Sequence, residues 1–491
     1  MVLALAMEGD ETIPLYLRLS QALIKAINSG QLQTGEALPS TRVLSATLSI
    51  AAVTVHRSYQ DLLSRGYLET VSGRGTFVRH RIPNEAQEDN LVQLPSVALS
   101  AKEANIRWSC FAQALLSSGA SLPEKPDLFA SMYQSLPTRE QLPLAAWRKI
   151  LVKNSRLVEE TSLEYTGDAF GSIRLRKAIA AYLRRARGAI CDWDQIAIFS
   201  GSQPALDMVC RVLLDRNDGF AMEEPGYFGA RRSIAASGAQ IIAVPVDEDG
   251  IRVSDLRQLE RAPKMVFVTP AHQDPTGAVL SLSRRIELLA WARDTGALII
   301  EDDNDCEYRH GARPLSSLMA MDEDGCVIYL NTFWRTLGSL VRIGYLVLPR
   351  RLLEVFTFVK SIVERDFPVL EQAALAEFIE QGYLERHIHK AGSLYRRRLH
   401  ALTHACTLHL KGSMTLTKES GGMRVLARFD SSRFSNEKII EAACEADFPL
   451  FSTENYYMGT APQGEFLIPF GQFDEHTIAQ GVKSFAELIS V

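Results

Sequence analysis

Between residues 13 and 80 the spacing of apolar positions changes character more than once. Leu15 to Asn28 is amphipathic at helical spacing, and a Gly-x-x-x-x-Gly turn follows at Gly30 to Gly35. Leu38-Pro39-Ser40 then leads into a short helix beginning at Ser40, because a serine before a helical run accepts a hydrogen bond from an otherwise orphaned N–H. A further helix is predicted from Ala51 to Arg65. Gly66 to Thr70 and Thr76 to Val78 read as two strands around the turn Ser72-Gly73-Arg74-Gly75. Polar, proline-containing sequence follows, including Pro83 to Asn90, so residues 81–120 read as a linker. From about Asp127 onward, apolar runs such as Ile196 to Phe199, Lys264 to Val268 and Ala297 to Ile300 alternate with longer helical patterns. That alternation predicts an α/β large lobe over 121–351, with a parallel sheet and crossover helices, followed by an α+β C-terminal lobe over 352–491.

The N-terminal order of three helices and a hairpin is that of a winged helix-turn-helix, spanning 13–80. A chain of 491 residues is too long for one core, in keeping with several domains. A net charge of -5 with no basic tail means that any contact with nucleic acid must be local. The seven cysteines are scattered and never form a Cys-x-x-Cys pair, which argues against a disulfide framework or a zinc site and fits a reducing cytoplasm. The opening MVLALAMEGD has no basic flank, and no apolar run reaches the roughly 18 residues that span a bilayer, so the protein is expected to be neither exported nor embedded in a membrane.

A winged helix needs cations for phosphates and a helix for the major groove. The candidate DNA-facing residues are Ser40, Arg42, Thr54, His56 and Arg57, with Gly73, Arg74 and Gly75 in the wing. The segment from Pro14 to Val78 resembles the DNA-binding domain of the GntR family of bacterial regulators. The likeness lies in Ser29-Gly30, Gly35, Leu38-Pro39-Ser40-Thr41-Arg42, Thr54-Val55, Gly66-Tyr67 and Gly73-Arg74-Gly75-Thr76-Phe77-Val78. Where that family opens its recognition helix with Ser-Arg-x-Thr-Val, this chain has Ala51-Ala52-Val53-Thr54-Val55. A hydroxyl and a guanidinium are missing, and good base contacts are worth roughly 1–3 kcal/mol each. The module is also hardly basic, with seven Lys and Arg against six acids over residues 1–79, which points to weak or dimer-dependent binding. The alternative is a module retained only for packing. Against it stands the wing, where a cation flanked by two glycines has little use in a buried contact.

Several later segments suit one anionic cofactor. Phe199-Ser200-Gly201-Ser202-Gln203-Pro204 joins a strand to a helix, where free N–H groups and the helix dipole grip a phosphate. Glu224-Pro225-Gly226-Tyr227 offers an aromatic face, Thr269 to Gly277 a strand-end loop, and Ile299 to Asp305 carboxylates after a buried strand. With the block Thr332 to Gly344, these look like the core of a fold-type I, pyridoxal-phosphate enzyme of the aspartate aminotransferase type. With a winged helix in front, the whole chain resembles the MocR/GabR branch of the GntR regulators. The resemblance implies that Gly201, Ser202, Gln203, Thr332 and Arg342 hold the phosphate, that Tyr227 stacks on the ring, and that Asp302 pairs with the pyridine nitrogen.

The departures from that family concentrate where the chemistry would be. Arg335 stands in place of the Schiff-base lysine and Trp334 in place of a small residue. Asn304 replaces a tyrosine, and Asp274 falls in the loop beside the ring edge. No lysine occurs between Lys264 and Lys360 that a shifted register could recruit. A guanidinium stays charged and is a poor nucleophile, so covalent attachment of pyridoxal phosphate is expected to be lost and catalytic residues are none. Arg335 is expected to form a bidentate pair with Asp274 or Asp302 and close the pocket; drift in a lineage that no longer uses the cofactor would leave the same residues. No arginine follows Arg433 to hold a substrate carboxylate, although Arg424 or Arg428 could substitute. The expectation is a cytoplasmic regulator that binds a double-stranded DNA operator as a homodimer, responds to a small-molecule effector and makes no membrane contact. Noncovalent binding of pyridoxal phosphate is the alternative, and an active aminotransferase would need another amine.

Overall fold

The computed structural model describes residues 15–28, 31–33, 35–48, 50–64, 67–71, 75–78, 107–117, 136–160, 168–303, 305–309, 316–364, 366–417 and 421–489. The chain divides into two compact units, Met1–Ile106 and Arg107–Val491.

In the first unit, α1 (Leu15–Asn28), α2 (Thr41–Leu48) and α3 (Ala52–Ser64) precede a hairpin of β1 (Leu68–Val71) and β2 (Gly75–Val78), close to the predicted bounds. The helical stripe of α1 buries Leu19, Leu23, Ala26 and Ile27 against Leu44, Val55, Tyr59 and Leu62 of α2 and α3 and against Leu68 and Val78 of the hairpin. Ser40 caps α2, accepting from Val43 N–H at 3.4 Å. The hairpin is antiparallel, with Leu68 opposite Val78 and Val71 opposite Gly75.

The second unit opens earlier than its sequence pattern suggests. Helix α4 (Cys110–Ser117) lies inside the stretch read as linker, and its Phe111 ring sits 5.5 Å beneath the Arg211 guanidinium. The linker reading is therefore too long at its C-terminal end. Helices α5 (Leu144–Glu160) and α6 (Ile173–Arg187) follow. Ser172 caps α6, Gly188 ends it in the left-handed conformation, and Arg184, Arg185 and Arg187 complement the dipole in its last turn.

The central sheet is built from β3 (Ile196–Phe199), β4 (Gly219–Glu224), β5 (Gln240–Asp247), β6 (Gly250–Ile251), β7 (Met265–Val268), β8 (Leu298–Asp302), β9 (Val327–Thr332) and β10 (Gly344–Val347). Its order is β3-β10-β9-β8-β7-β4-β5-β6. The run β9-β8-β7-β4-β5 is parallel, whereas β10 is antiparallel to both β9 and β3, and β6 is antiparallel to β5. The parallel sheet expected from the sequence is thus mixed at both edges. Because β3 and β9 both oppose β10, the carboxyl ends of β3, β4, β7, β8 and β9 share one side, the usual ligand side of an open α/β sheet. Residues alternate across the sheet: Ile196 and Ile198 pack with α5 and α6, while Ala197 and Phe199 pack with α7 (Ser202–Leu213).

The lobes also meet at a different point from the one expected near Leu352. Phe356 of α8 (Leu353–Val363) and Ala374, Leu375, Phe378 and Ile379 of α9 (Val369–Glu380) belong to the cores of the large lobe. The small lobe gathers along α10 (Tyr383–His409), from Ala391 onward, around a sheet of order β11-β12-β14-β13. Those strands are β11 (Met414–Leu416), β12 (Arg424–Phe429), β13 (Phe451–Ser452) and β14 (Glu465–Pro469), backed by helices at Asn436–Glu445 and Glu475–Ile489.

Candidate functional site

At the carboxyl ends of the strands lies a cavity of about 270 Å³. Gly201, Ser202, Gln203, Tyr227, Asp302, Thr332 and Arg342, far apart in sequence, all line it. Also in the wall are Asp274, Trp334 and Arg335, with Arg232, which the sequence reading passed over.

One end is built for an anion. Gly201 holds a φ of 112° at the start of α7, a conformation that L side chains rarely adopt, and the first N–H groups of α7 face the turn it makes. A Cβ on Gly201 would stand 3.6 Å from Arg342 Nε, so this guanidinium lies over the turn. Across the sheet, Gly344 lets the strands close: a Cβ there would meet the Gly201 carbonyl carbon at 2.6 Å. Two of the expected side chains have other partners. Gln203 Nε2 donates to Gly229 O at 3.0 Å, and the Thr332 hydroxyl donates to Ile343 O at 3.2 Å. Their share of anion binding would fall to backbone N–H groups and to Arg342. Trp334 packs beneath the Arg342 guanidinium, 5.5 Å from its ring centroid, and Arg335 lies 5.9 Å from the same centroid.

At the end of β8, Asp302 is buried and its carboxyl is pushed up to about 8, first by burial and then by the charges of Asp274 and Asp303, while Arg335 opposes them. Burial thus favours its neutral form, and a ring N–H⁺ beside it would favour the carboxylate. Its position is fixed by its neighbour. Asp303 accepts from Arg187 Nε and Nη2 at 2.6 and 2.7 Å and from Tyr329 Oη at 2.6 Å. Tyr227 lies against Phe267 at the cavity wall, with ring centroids 6.5 Å apart and the planes 30° from parallel.

The pair expected between Arg335 and Asp274 is replaced by a different one. Asp274 Oδ1 accepts from Arg424 Nη2 at 2.7 Å, and Arg335 Nε stands 3.5 Å from Asp305 Oδ1. Asp302 feels Arg335 as a nearby positive charge. Arg424 extends from β12, and its Nη1 donates to Tyr456 Oη at 2.8 Å. In the sequence Arg424 stands out only as a candidate for a substrate carboxylate; in the structure the carboxylate it meets is that of Asp274. Asn304 lies outside the described residues. No lysine lines the cavity among the described residues.

A pyridoxal-phosphate-like group fits these residues except at its aldehyde. Gly201, Ser202 and Arg342 suit a phosphate, Tyr227 a ring face and Asp302 a ring nitrogen. When bound, such a group would supply an electron sink; the chain's own residues would bind and orient it, and no lysine lines the cavity among the described residues.

In the first unit, Ser40, Arg42, His56 and Arg57 are exposed and Thr54 is half-buried. Ala51, Ala52 and Val53, at the start of α3, are exposed too, with Val53 at 63%. Gly75 opens β2, whereas Gly73 and Arg74 lie outside the described residues.

Residues 15–78 match the model of bacterial regulatory proteins of the gntR family, and residues 134–461 match aminotransferase class I and II. The chain is 32% identical to the probable rhizopine catabolism regulatory protein MocR of Rhizobium meliloti, over 98% of this chain and 94% of that one. It is 28% identical to the pyridoxine biosynthesis transcriptional regulator PdxR of Corynebacterium glutamicum, over 100% and 99%. Among solved structures, Pyrococcus horikoshii kynurenine aminotransferase superposes with a TM-score of 0.67 at 27% identity, over 80% of this chain and 97% of that one. With a gntR helix-turn-helix domain followed by an aminotransferase class I and II domain, and with such regulators as full-length relatives, the chain belongs to the MocR subfamily of GntR-type transcription regulators.

Proposed function

We propose that this regulator has lost the chemistry of its aminotransferase-like domain and keeps that domain as a dimerisation and sensing scaffold in the cytoplasm, on the nucleoid when bound to DNA. The observation that carries the reading is the cavity wall itself. Residues suited to phosphate, ring face and ring nitrogen are all present, and the wall has Arg335 but no lysine among the described residues. A guanidinium keeps its proton at any physiological pH, so it neither condenses with an aldehyde nor shuttles a proton. No transamination follows.

A homodimer on a two-part operator is supported by α8, where Val355, Phe358 and Ile362 form one apolar stripe, 41%, 66% and 78% exposed. The exposed Arg42 and Arg57 suit phosphates. Gel retardation with the gene's own upstream region tests the reading. Arg42→Ala and Arg57→Ala should each weaken binding to all sequences alike and reduce the salt slope by about one unit. Binding unaltered by both substitutions would refute it.

A second reading, noncovalent capture of pyridoxal phosphate, is favoured by Arg342 lying over the Gly201 turn, since that anion site does not depend on a lysine. Saturable heat on titration with pyridoxal phosphate supports it, and heat indistinguishable from buffer at millimolar ligand excludes it.

A further inference from the structure

The two lobes of the second unit meet beside the cavity, and one buried ion pair spans them. Asp274 belongs to the loop after β7 of the large lobe, and Arg424 opens β12 of the small lobe; their side chains are 7% and 4% exposed. Around this pair the lobes are stitched together. Glu224 Oε1 accepts the N–H groups of Met458 and Gly459 at 2.8 and 3.1 Å, and Gly226 N–H donates to Tyr456 O at 2.9 Å. The Phe228 ring meets Tyr456 edge-on at 5.5 Å.

A guanidinium presents paired N–H groups in a plane, the shape that captures a carboxylate. Arg424 already spends one such group on Asp274 and another on the Tyr456 hydroxyl. An incoming carboxylate would have to evict Asp274 and leave that charge buried beside Asp302, an arrangement that costs more than the new pair returns. We propose that Asp274 is a built-in carboxylate occupant of Arg424: it excludes amino acids and other small carboxylates from the cavity and holds the two lobes together without a ligand. The ligand class left to the cavity is a phosphate monoester that carries no carboxylate. This specificity rests on the reading of the cavity as a noncovalent binding site.

The test uses the full chain without any phosphorylated ligand, so its failure is separate from a failure to bind pyridoxal phosphate. Wild type, Asp274→Ala, Asp274→Asn and Asp274→Ala/Arg424→Met are titrated calorimetrically with acetate and with L-alanine, using chloride at matched ionic strength as control. Wild type should give no saturable heat at millimolar ligand. Asp274→Ala should gain saturable carboxylate binding, at least about tenfold tighter than wild type, and the double variant should lose it again. Should Asp274→Ala fail to fold, Asp274→Asn keeps an oxygen to accept from Arg424 while removing the charge, and it should show a gain in the same direction. Wild type binding L-alanine as tightly as the variants would overturn the proposal, as would folded variants that gain nothing.

Discussion

Replacing Asp303 by alanine should be among the most damaging single changes in the aminotransferase-like unit. The Asp303 side chain is fully buried, and three donors converge on it: two from Arg187, itself 3% exposed, and the Tyr329 hydroxyl. Burial works to lower the Arg187 pKa, yet the Asp303 charge holds this guanidinium above its ordinary value. Removing the carboxylate strands a buried cation, which costs about 3–5 kcal/mol. With an unfolding entropy of roughly 0.8 kcal/mol per kelvin for a unit of this size, the loss corresponds to a drop of about 4–6 °C in Tm. The double variant Arg187→Met/Asp303→Leu removes both charges and restores apolar volume, so it should lose less than Asp303→Ala alone. Calorimetry on the three proteins decides the matter. A loss below about 1 kcal/mol for Asp303→Ala, or equal losses for the single and double variants, would refute the view that this pair braces the end of β8.

Two further outcomes follow from the same geometry. Gly344→Ala would drive a Cβ to 2.6 Å from the Gly201 carbonyl carbon and 3.0 Å from its Cα, both backbone atoms. It should cost about 1–3 kcal/mol by thermal melt and abolish phosphate-ligand binding at the turn, whereas unaltered binding would show that the turn tolerates displacement. The carboxyl of Asp302 is pushed up to about 8, and those of Glu223, Glu301 and Glu307 to about 7, in each case chiefly by burial. Raised acid pKa values mean that the folded state holds protons the unfolded chain has released. Their contribution is complete below about pH 4 and is lost as pH rises through 7 to 8. Stability measured by urea unfolding should therefore fall across that window, and Asp302→Asn should make the fall shallower; an unchanged slope would contradict the burial argument.

The local half of this molecule was legible in its residues. Helical and alternating periods marked α1 to α3 and the hairpin. The turn at Gly201, the acid that ends β8 and the block from Thr332 to Gly344 each mark a strand end, and the carboxyl ends of β3, β8 and β9 share one side of the sheet. Relations between distant segments were hidden. Asp274 and Arg424 are 150 positions apart, and Asp274 and Asp302 both suit Arg335 in the sequence, so nothing local shows that Arg335 stands by Asp305 and Arg424 by Asp274. Helix α4 is only eight residues long and follows polar sequence, too brief a period to separate from linker. The lobe boundary was misplaced because α8 and α9 are apolar enough to suit either lobe, and only their packing through Phe356, Phe378 and Ile379 assigns them to the large one.

The proposed loss of chemistry rests on Arg335, a residue of the cavity wall that offers no amine for covalent capture of an aldehyde. The most direct measurement is the visible absorption spectrum of wild type and of Arg335→Lys after incubation with pyridoxal phosphate, recorded before borohydride reduction and followed by mass analysis of the peptide that carries residue 335. The wild type should show no yellow adduct and no pyridoxyl mass on the peptide that carries residue 335, with both gained by Arg335→Lys. A wild-type protein that turns yellow, retains the cofactor's mass after reduction and exchanges amino groups between amino and keto acids would contradict it.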